Sequence, residues 1–205
     1  MQLCAECDKS KPPRIEIVLK PEILRLVGLD MIPSADGSVQ WGRECDTSAK
    51  YRVPDLAWIT DDRNLAVVLE IDEYGHPDYQ PICEGGKVWD QTHVIKKSFG
   101  DECTVVHVRY NPNECPQTSL RSHEERLKAV CSHIRSMLRN SSNIADEINL
   151  STHLANVQYW FYPESAQHQI NYMKSLPNAT TVSVHLTFSH GPDPEINGDD
   201  NKENN

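Results

Sequence analysis

Residues 54–76 read Pro-Asp-Leu-Ala-Trp-Ile-Thr-Asp-Asp-Arg-Asn-Leu-Ala-Val-Val-Leu-Glu-Ile-Asp-Glu-Tyr-Gly-His. From Leu65 to Ile71 the residues are almost continuously aliphatic and rich in Val, the pattern of a strand buried on both faces, as in the centre of an α/β sheet. The run ends in acid. Glu70 and Asp72 lie two positions apart, so strand alternation sends both carboxylates to one face. Two buried like charges repel, and each is costly to desolvate unless a cation satisfies it. Upstream, Leu56–Ile59 is a short apolar run, and Thr60-Asp61-Asp62-Arg63-Asn64 is a turn-forming cluster. A hairpin is expected, and it brings Asp55 towards Glu70 and Asp72. Three carboxylates converging at strand ends, with positions left for water and phosphate, suit a hard divalent cation in phosphodiester hydrolysis. His76, four residues past Asp72, stands where a general acid or base of near-neutral pKa is useful.

The rest of the chain supplies a scaffold of alternating elements. The sequence predicts a short strand over 15–19, a helix over 21–28 with Pro21 in its first turn and Gly28 at its end, and a helix over 83–99 with Val88, Trp89, Ile95 and Phe99 on its apolar side. A Val-rich strand over 103–110 follows, stopped by Asn111-Pro112-Asn113. Strand, helix, strand is a βαβ unit, which lays 103–110 parallel to Leu65–Ile71. An amphipathic helix over 120–139 carries Leu127, Val130, Ile134, Met137 and Leu138 on one side. Strands over 158–162 and 181–188, joined by a helix over 167–176, form a βαβ-like C-terminal extension that lengthens the sheet or makes a small subdomain. Tyr159, Trp160, Phe161 and Tyr162 are adjacent and cannot all be buried on this reading; sheet packing is preferred to base stacking for them. On the 83–99 helix Glu84 either complements the helix dipole or joins the acidic site. Lys87, Lys96 and Lys97 are candidate phosphate contacts on that helix, and Arg109 either clamps a phosphate or neutralises the carboxylates.

Pro54-Asp55 followed by Glu70-Ile71-Asp72-Glu73-Tyr74-Gly75-His76 resembles the PD-(D/E)xK nuclease superfamily, and more closely its very-short-patch-repair-like endonuclease branch. Uncharacterised proteins of large DNA viruses and algae are similar over 45–112, in Cys45 and Lys50, Cys83-Glu84 and Arg109-Tyr110-Asn111-Pro112. The resemblance covers about a third of the chain. It implies a restriction-endonuclease-like α/β fold, a mixed sheet flanked by helices, and hydrolysis of DNA. It also implies Mg²⁺ or Mn²⁺ held by Asp55, Glu70 and Asp72, with His76 and Glu84 in the catalytic set. Asp72 stands where the superfamily has its last-motif Lys, as in the very-short-patch-like branch, so proton handling falls to His76 or to a lysine from elsewhere.

With 205 residues the chain can bury a sizeable core. The expected organisation is a polar arm over 1–14, an α/β domain over 15–188 and a disordered acidic tail over 189–205. The net charge of −10 is awkward for a partner made of phosphates, but the tail alone holds −4 of it. Basic residues cluster at Lys9/Lys11/Arg14, Lys50/Arg52, Lys96/Lys97 and Arg121/Arg126/Lys128. No long apolar run or leader-like segment is present, so an intracellular protein with no membrane span is expected. Seven cysteines, an odd number, point to free thiols or a metal site over a disulfide framework. Cys4 and Cys7 make half a zinc knuckle that Cys45 with Cys83 or His76 could complete, though a polar arm is the preferred reading. The expectation is a Mg²⁺-dependent endonuclease acting on DNA, of open oligomeric state with a homodimer possible in principle. The alternatives are a catalytically inactive module of the same fold that binds nucleic acid or a protein, and a zinc-organised regulator.

Overall fold

The computed structural model describes residues 14–28, 53–73, 80–114, 122–144, 155–176 and 180–185. Within them β1 (Leu56–Ile59) and β2 (Leu65–Ile71) form the expected hairpin, with Leu56 opposite Leu69 and Ile59 opposite Ala66. The turn closes through Thr60 N–H to Leu65 O at 3.0 Å. Asp62 accepts from Asn64 N–H at 3.1 Å, which supports the left-handed Arg63 at φ 58°. Every residue of β2 is buried, as its aliphatic run requires. α2 (Pro81–Phe99) then crosses over to β3 (Thr104–Tyr110), which runs parallel to β2 with Glu70 beside Arg109.

α3 (His123–Arg139) leads to β4 (Ala155–Trp160), and a 3-10 turn at Glu164–Ala166 opens α4 (Gln167–Ser175), which returns to β5 (Thr180–His185). The five strands lie in the order β1-β2-β3-β4-β5, antiparallel only between β1 and β2. The C-terminal βαβ unit therefore lengthens the same sheet. The architecture is α/β, a mixed sheet between two helical layers. The odd-numbered β2 residues Leu65, Val67, Leu69 and Ile71 join Val106, Val108 and Tyr110 under α1 (Ile15–Val27) and α3. The even-numbered Ala66 and Val68 pack with Val105 under α2, and Val157 and Tyr159 pack with Ile170 and Met173 of α4.

Three sequence expectations change. The strand over 15–19 and helix over 21–28 are one helix, α1, running through Pro21. Leu19, Ile23 and Val27 recur every four residues and are all buried against the sheet. That continuous stripe outweighs the roughly 3 kcal/mol an interior proline costs. Trp89 faces outward at 51% exposure rather than joining the core, and Phe99 is only partly buried. Tyr159, Trp160, Phe161 and Tyr162, by contrast, are all buried. β4 has helices on both faces, so Tyr159 and Trp160 find opposite cores, and Phe161 at φ 59° turns the chain and seats its ring against Tyr110.

α3 begins with a capping box. Ser122 Oγ accepts from Glu125 N–H, and the Glu125 carboxylate accepts from Ser122 N–H at 2.8 Å. Cys103 and Cys131 are buried free thiols, pushed up to about 11 and about 12 by burial, and Cys83 is exposed and free. No helix among the described residues is long and apolar enough to cross a membrane. The 1–14 arm (bar Arg14), Cys4, Cys7, Cys45, His76 and the 189–205 tail lie outside the described residues, so the zinc arrangement does too.

Candidate functional site

The hairpin register continues one step past Leu56 opposite Leu69, which sets Asp55 opposite Glu70 at the C-terminal end of β2. Asp55 is fixed there from two sides: Oδ2 accepts from Ile71 N–H at 2.8 Å, and Oδ1 meets Lys20 Nζ of α1 at 2.8 Å. α1 is tethered to the same strand end, because Ile15 N–H donates to Glu73 Oε1 at 2.8 Å. Glu70 and Asp72 point to the α2 face, as alternation requires. α2 answers with one of its own faces, since Glu84, Lys87 and Gln91 recur at spacings of three and four. Lys87 Nζ donates to Glu70 Oε2 at 2.6 Å and Gln91 Nε2 to Glu70 Oε1 at 2.7 Å.

Deeper in, Arg109 of β3 organises a second tier. Its Nε donates to Asp72 Oδ2 at 2.7 Å and its terminal nitrogen to Glu84, while Tyr162 donates its hydroxyl to Asp72. The guanidinium carbon also lies 5.9 Å from the Tyr159 ring centroid. This tier is sealed: the side chains of Asp72 and Arg109 are each only 1% exposed. The outer tier is not, with Lys20 at 34%, Lys87 at 22% and Asp55 at 17% exposure. The site opens to solvent on the Asp55, Lys20 and Lys87 side, and Glu70 stands between the two tiers.

The electrostatics follow from burial and count. Desolvation dominates at Glu70 and, with the Asp72 and Asp55 charges, outweighs Lys87 to push the carboxyl up to about 7. Burial opposes charge on Lys87, but Glu70 more than compensates and the ammonium is held above its ordinary value. Burial likewise opposes charge on Arg109, and Asp72, Tyr162 and Glu84 outweigh it. Burial and the neighbouring Asp72 charge keep Tyr162 a phenol, and therefore a donor. Four carboxylates, Asp55, Glu70, Asp72 and Glu84, face three cations, Lys20, Lys87 and Arg109. When all are ionised the cluster is one positive charge short. A proton on Glu70 supplies it, and so would a bound cation.

The structure therefore brings Asp55, Glu70, Asp72, Glu84, Lys87 and Arg109 into one cluster. It separates Lys96 and Lys97, which lie two to three helical turns along α2 from Lys87. Arg109 is buried and spends Nε on Asp72 and a terminal nitrogen on Glu84, so of its two sequence readings the geometry supports neutralisation of carboxylates. Lys20, Gln91, Tyr159 and Tyr162 escape a sequence reading. Gln91 had a signal, four residues after Lys87 on a helix, whereas Lys20 and Tyr162 arrive from distant elements with none. Among the described residues no three His, Cys, Asp or Glu side chains are grouped to hold a metal ion. Asp72 is turned to Arg109, which leaves half-buried Asp55 and buried Glu70 as the carboxylate pair nearest the open side of the site. Such a pair fits Mg²⁺, which keeps several waters and takes one or two protein carboxylates beside substrate phosphate. Comparison with protein-family models, with curated proteins and with solved structures finds no match to this chain.

Proposed function

We propose that the chain is a metal-dependent endonuclease that hydrolyses phosphodiester bonds in DNA, on a restriction-endonuclease-like variant of the α/β sheet. The observation that carries this is Asp55 beside Glu70 at the end of the β1–β2 hairpin, in a cluster that is one positive charge short over its two tiers together, with the Lys87 ammonium 2.6 Å from Glu70. In this reading Asp55 and Glu70 hold Mg²⁺ or Mn²⁺, with Asp72 as a further ligand where Arg109 releases it. The ion, when bound, acidifies a water and offsets charge on the phosphate. Lys87 takes the role of the missing motif lysine: anchored on Glu70, it orients the attacking water or meets a phosphate oxygen. Gln91 holds the other Glu70 oxygen so that the carboxylate keeps one orientation. Arg109, Glu84 and Tyr162 are positioning residues that fix Asp72 from behind. His76 is proposed as the proton-transfer partner on the strength of its motif alone.

A second reading, a catalytically inactive module of the same fold, is favoured by one observation. The sealed tier satisfies Asp72 and Glu84 with Arg109 and leaves them no solvent-facing work. The test is incubation of the chain with plasmid and oligonucleotide DNA in Mg²⁺, Mn²⁺, Ca²⁺ or chelator. Cutting in Mg²⁺ or Mn²⁺ that Ca²⁺ does not support, and that Lys87→Ala or Glu70→Gln abolishes, is expected. Cutting that persists in chelator, or none in any metal, defeats the reading.

A further inference from the structure

On the outer face of α2, away from Glu70, lies a cavity of about 320 Å³ lined by Trp89, Thr92, His93, Lys96, Lys97 and Asp101. That volume is at the small end of ligand sites, the size for one nucleotide rather than a duplex. Among the described tryptophans Trp58 and Trp160 are buried, whereas Trp89 leaves half its surface in water. His93 follows it one helical turn later, so the two rings share a face. Lys96 Nζ is pinned on the Asp101 carbonyl at 2.5 Å, which lays its stem along the wall, while the exposed Lys97 has no ion-pair partner among the described residues. The arrangement is a flat aromatic platform with two ammonium groups at its edge, on a chain whose net charge is −10. A local excess of cations beside an exposed ring on an acidic protein is complementary to an anion that carries a planar group.

We infer that this cavity is a docking site for one unpaired nucleotide of a single strand, its base stacked on Trp89 and its phosphate met by Lys97 and Lys96. The choice of a nucleic-acid ligand rests on the endonuclease reading above. The site gives that reading a substrate preference, for DNA with an unpaired stretch, because a base within a duplex has no free face to offer. Stacking tolerates any base. Lys87 lies near the N-terminal end of α2 and Lys97 near its C-terminal end, about 15 Å apart along the axis, so a strand held here runs along the helix towards Glu70.

The test is binding in chelator, where cleavage plays no part. A fluorescently labelled single-stranded oligonucleotide and its duplex are titrated into the parent chain, Trp89→Ala, Trp89→Phe and Lys97→Ala, with tryptophan emission as a second readout. The parent should bind the single strand and lose tryptophan emission. Trp89→Ala should weaken it about tenfold, Trp89→Phe should restore most of that, and duplex binding should change little. Lys97→Ala should lower the dependence of log affinity on log salt by about one. Trp89 is exposed, so both variants should melt with the parent. No single-strand binding by the parent, or parental affinity in Trp89→Ala, overturns the inference. The two proposals fail separately. Ring-dependent binding without cleavage in any metal sinks the endonuclease alone, and metal-dependent cleavage with a silent Trp89→Ala sinks the docking site alone.

Discussion

His107 sits on β3 with its ring wholly buried, and its one side-chain hydrogen bond among the described residues fixes its tautomer. Thr92 Oγ1 spends its only proton on Val88 O at 2.8 Å, so at 2.9 Å it can only accept from His107 Nε2–H. Nδ1 is then bare and has no hydrogen-bond partner among the described residues. Protonating it would bury an unsatisfied cation beside Arg109. Burial first, then the Arg109 and Lys87 charges, bring the imidazole down from 6.5 to about 3. Because the folded value is depressed, the unfolded chain binds the extra proton below pH 6.5, and the stability carried by neutral His107 is lost as pH falls. Between pH 7 and pH 5 the loss is about 2 kcal/mol, and it depends little on where below pH 5 the folded value lies.

Glu70 acts in the opposite sense. Its folded value is raised from 4.5 to about 7, so the folded state holds the extra proton, and stability is lost as pH rises through that window, again by about 2 kcal/mol between pH 5 and 7. In chelator the two nearly cancel in the parent. Urea unfolding of the parent and of His107→Gln at pH 5 and pH 7 separates them, since any fixed cost of the substitution drops out of the difference. His107→Gln should gain about 2 kcal/mol at pH 5 relative to pH 7, compared with the parent. If the variant tracks the parent at both pH values to within about 0.5 kcal/mol, the buried neutral histidine is refuted.

Arg109→Met should destabilise by about 3–5 kcal/mol in chemical unfolding, because Asp72 and Glu84 lose the guanidinium between them; stability within 1 kcal/mol or so of the parent would show the pair to be solvated. Asp72→Asn, which mutual repulsion of bare carboxylates would make harmless, should instead lower the melting temperature in chelator. In the cleavage assay Lys87→Ala should cost about 10²–10⁴ in rate with Lys87→Arg rescuing little, whereas full activity in either variant removes Lys87 from the chemistry. Ser122→Ala should cost about 1 kcal/mol through the lost capping box, read by thermal melting. Gly86→Ala, with open space around its new Cβ, should stabilise by about 0.5–1 kcal/mol. Gly85→Ala should not, because its Cβ would stand 3.0 Å from the Tyr172 ring of α4; an equal gain in both would deny the close α2–α4 contact.

The sequence by itself determined the hairpin, the β2–α2–β3 unit and the face on which Glu70 and Asp72 point, because each follows from local periodicity. Residues 65–71 have no polar position until Glu70, the 60–64 cluster can only turn, and alternation is a property of the extended backbone whatever surrounds it. The convergence of Asp55 with Glu70 was legible for the same reason, since hairpin register is a local fact. Neutralisation of the acids by Arg109 was one of two readings open to the sequence, and tertiary structure chose it and added partners that no local pattern shows. Lys20 and Tyr162 come from elements about 35 residues before and about 90 after the strands they serve, and no spacing rule links them. Tertiary structure also decided that α1 continues through Pro21 and that four consecutive aromatics can be buried. Propensity is an energy of about 3 kcal/mol at most per residue, and a stripe of Leu19, Ile23 and Val27 against a sheet, or a strand with a helical layer on each side, supplies more than that only once the partners are in place.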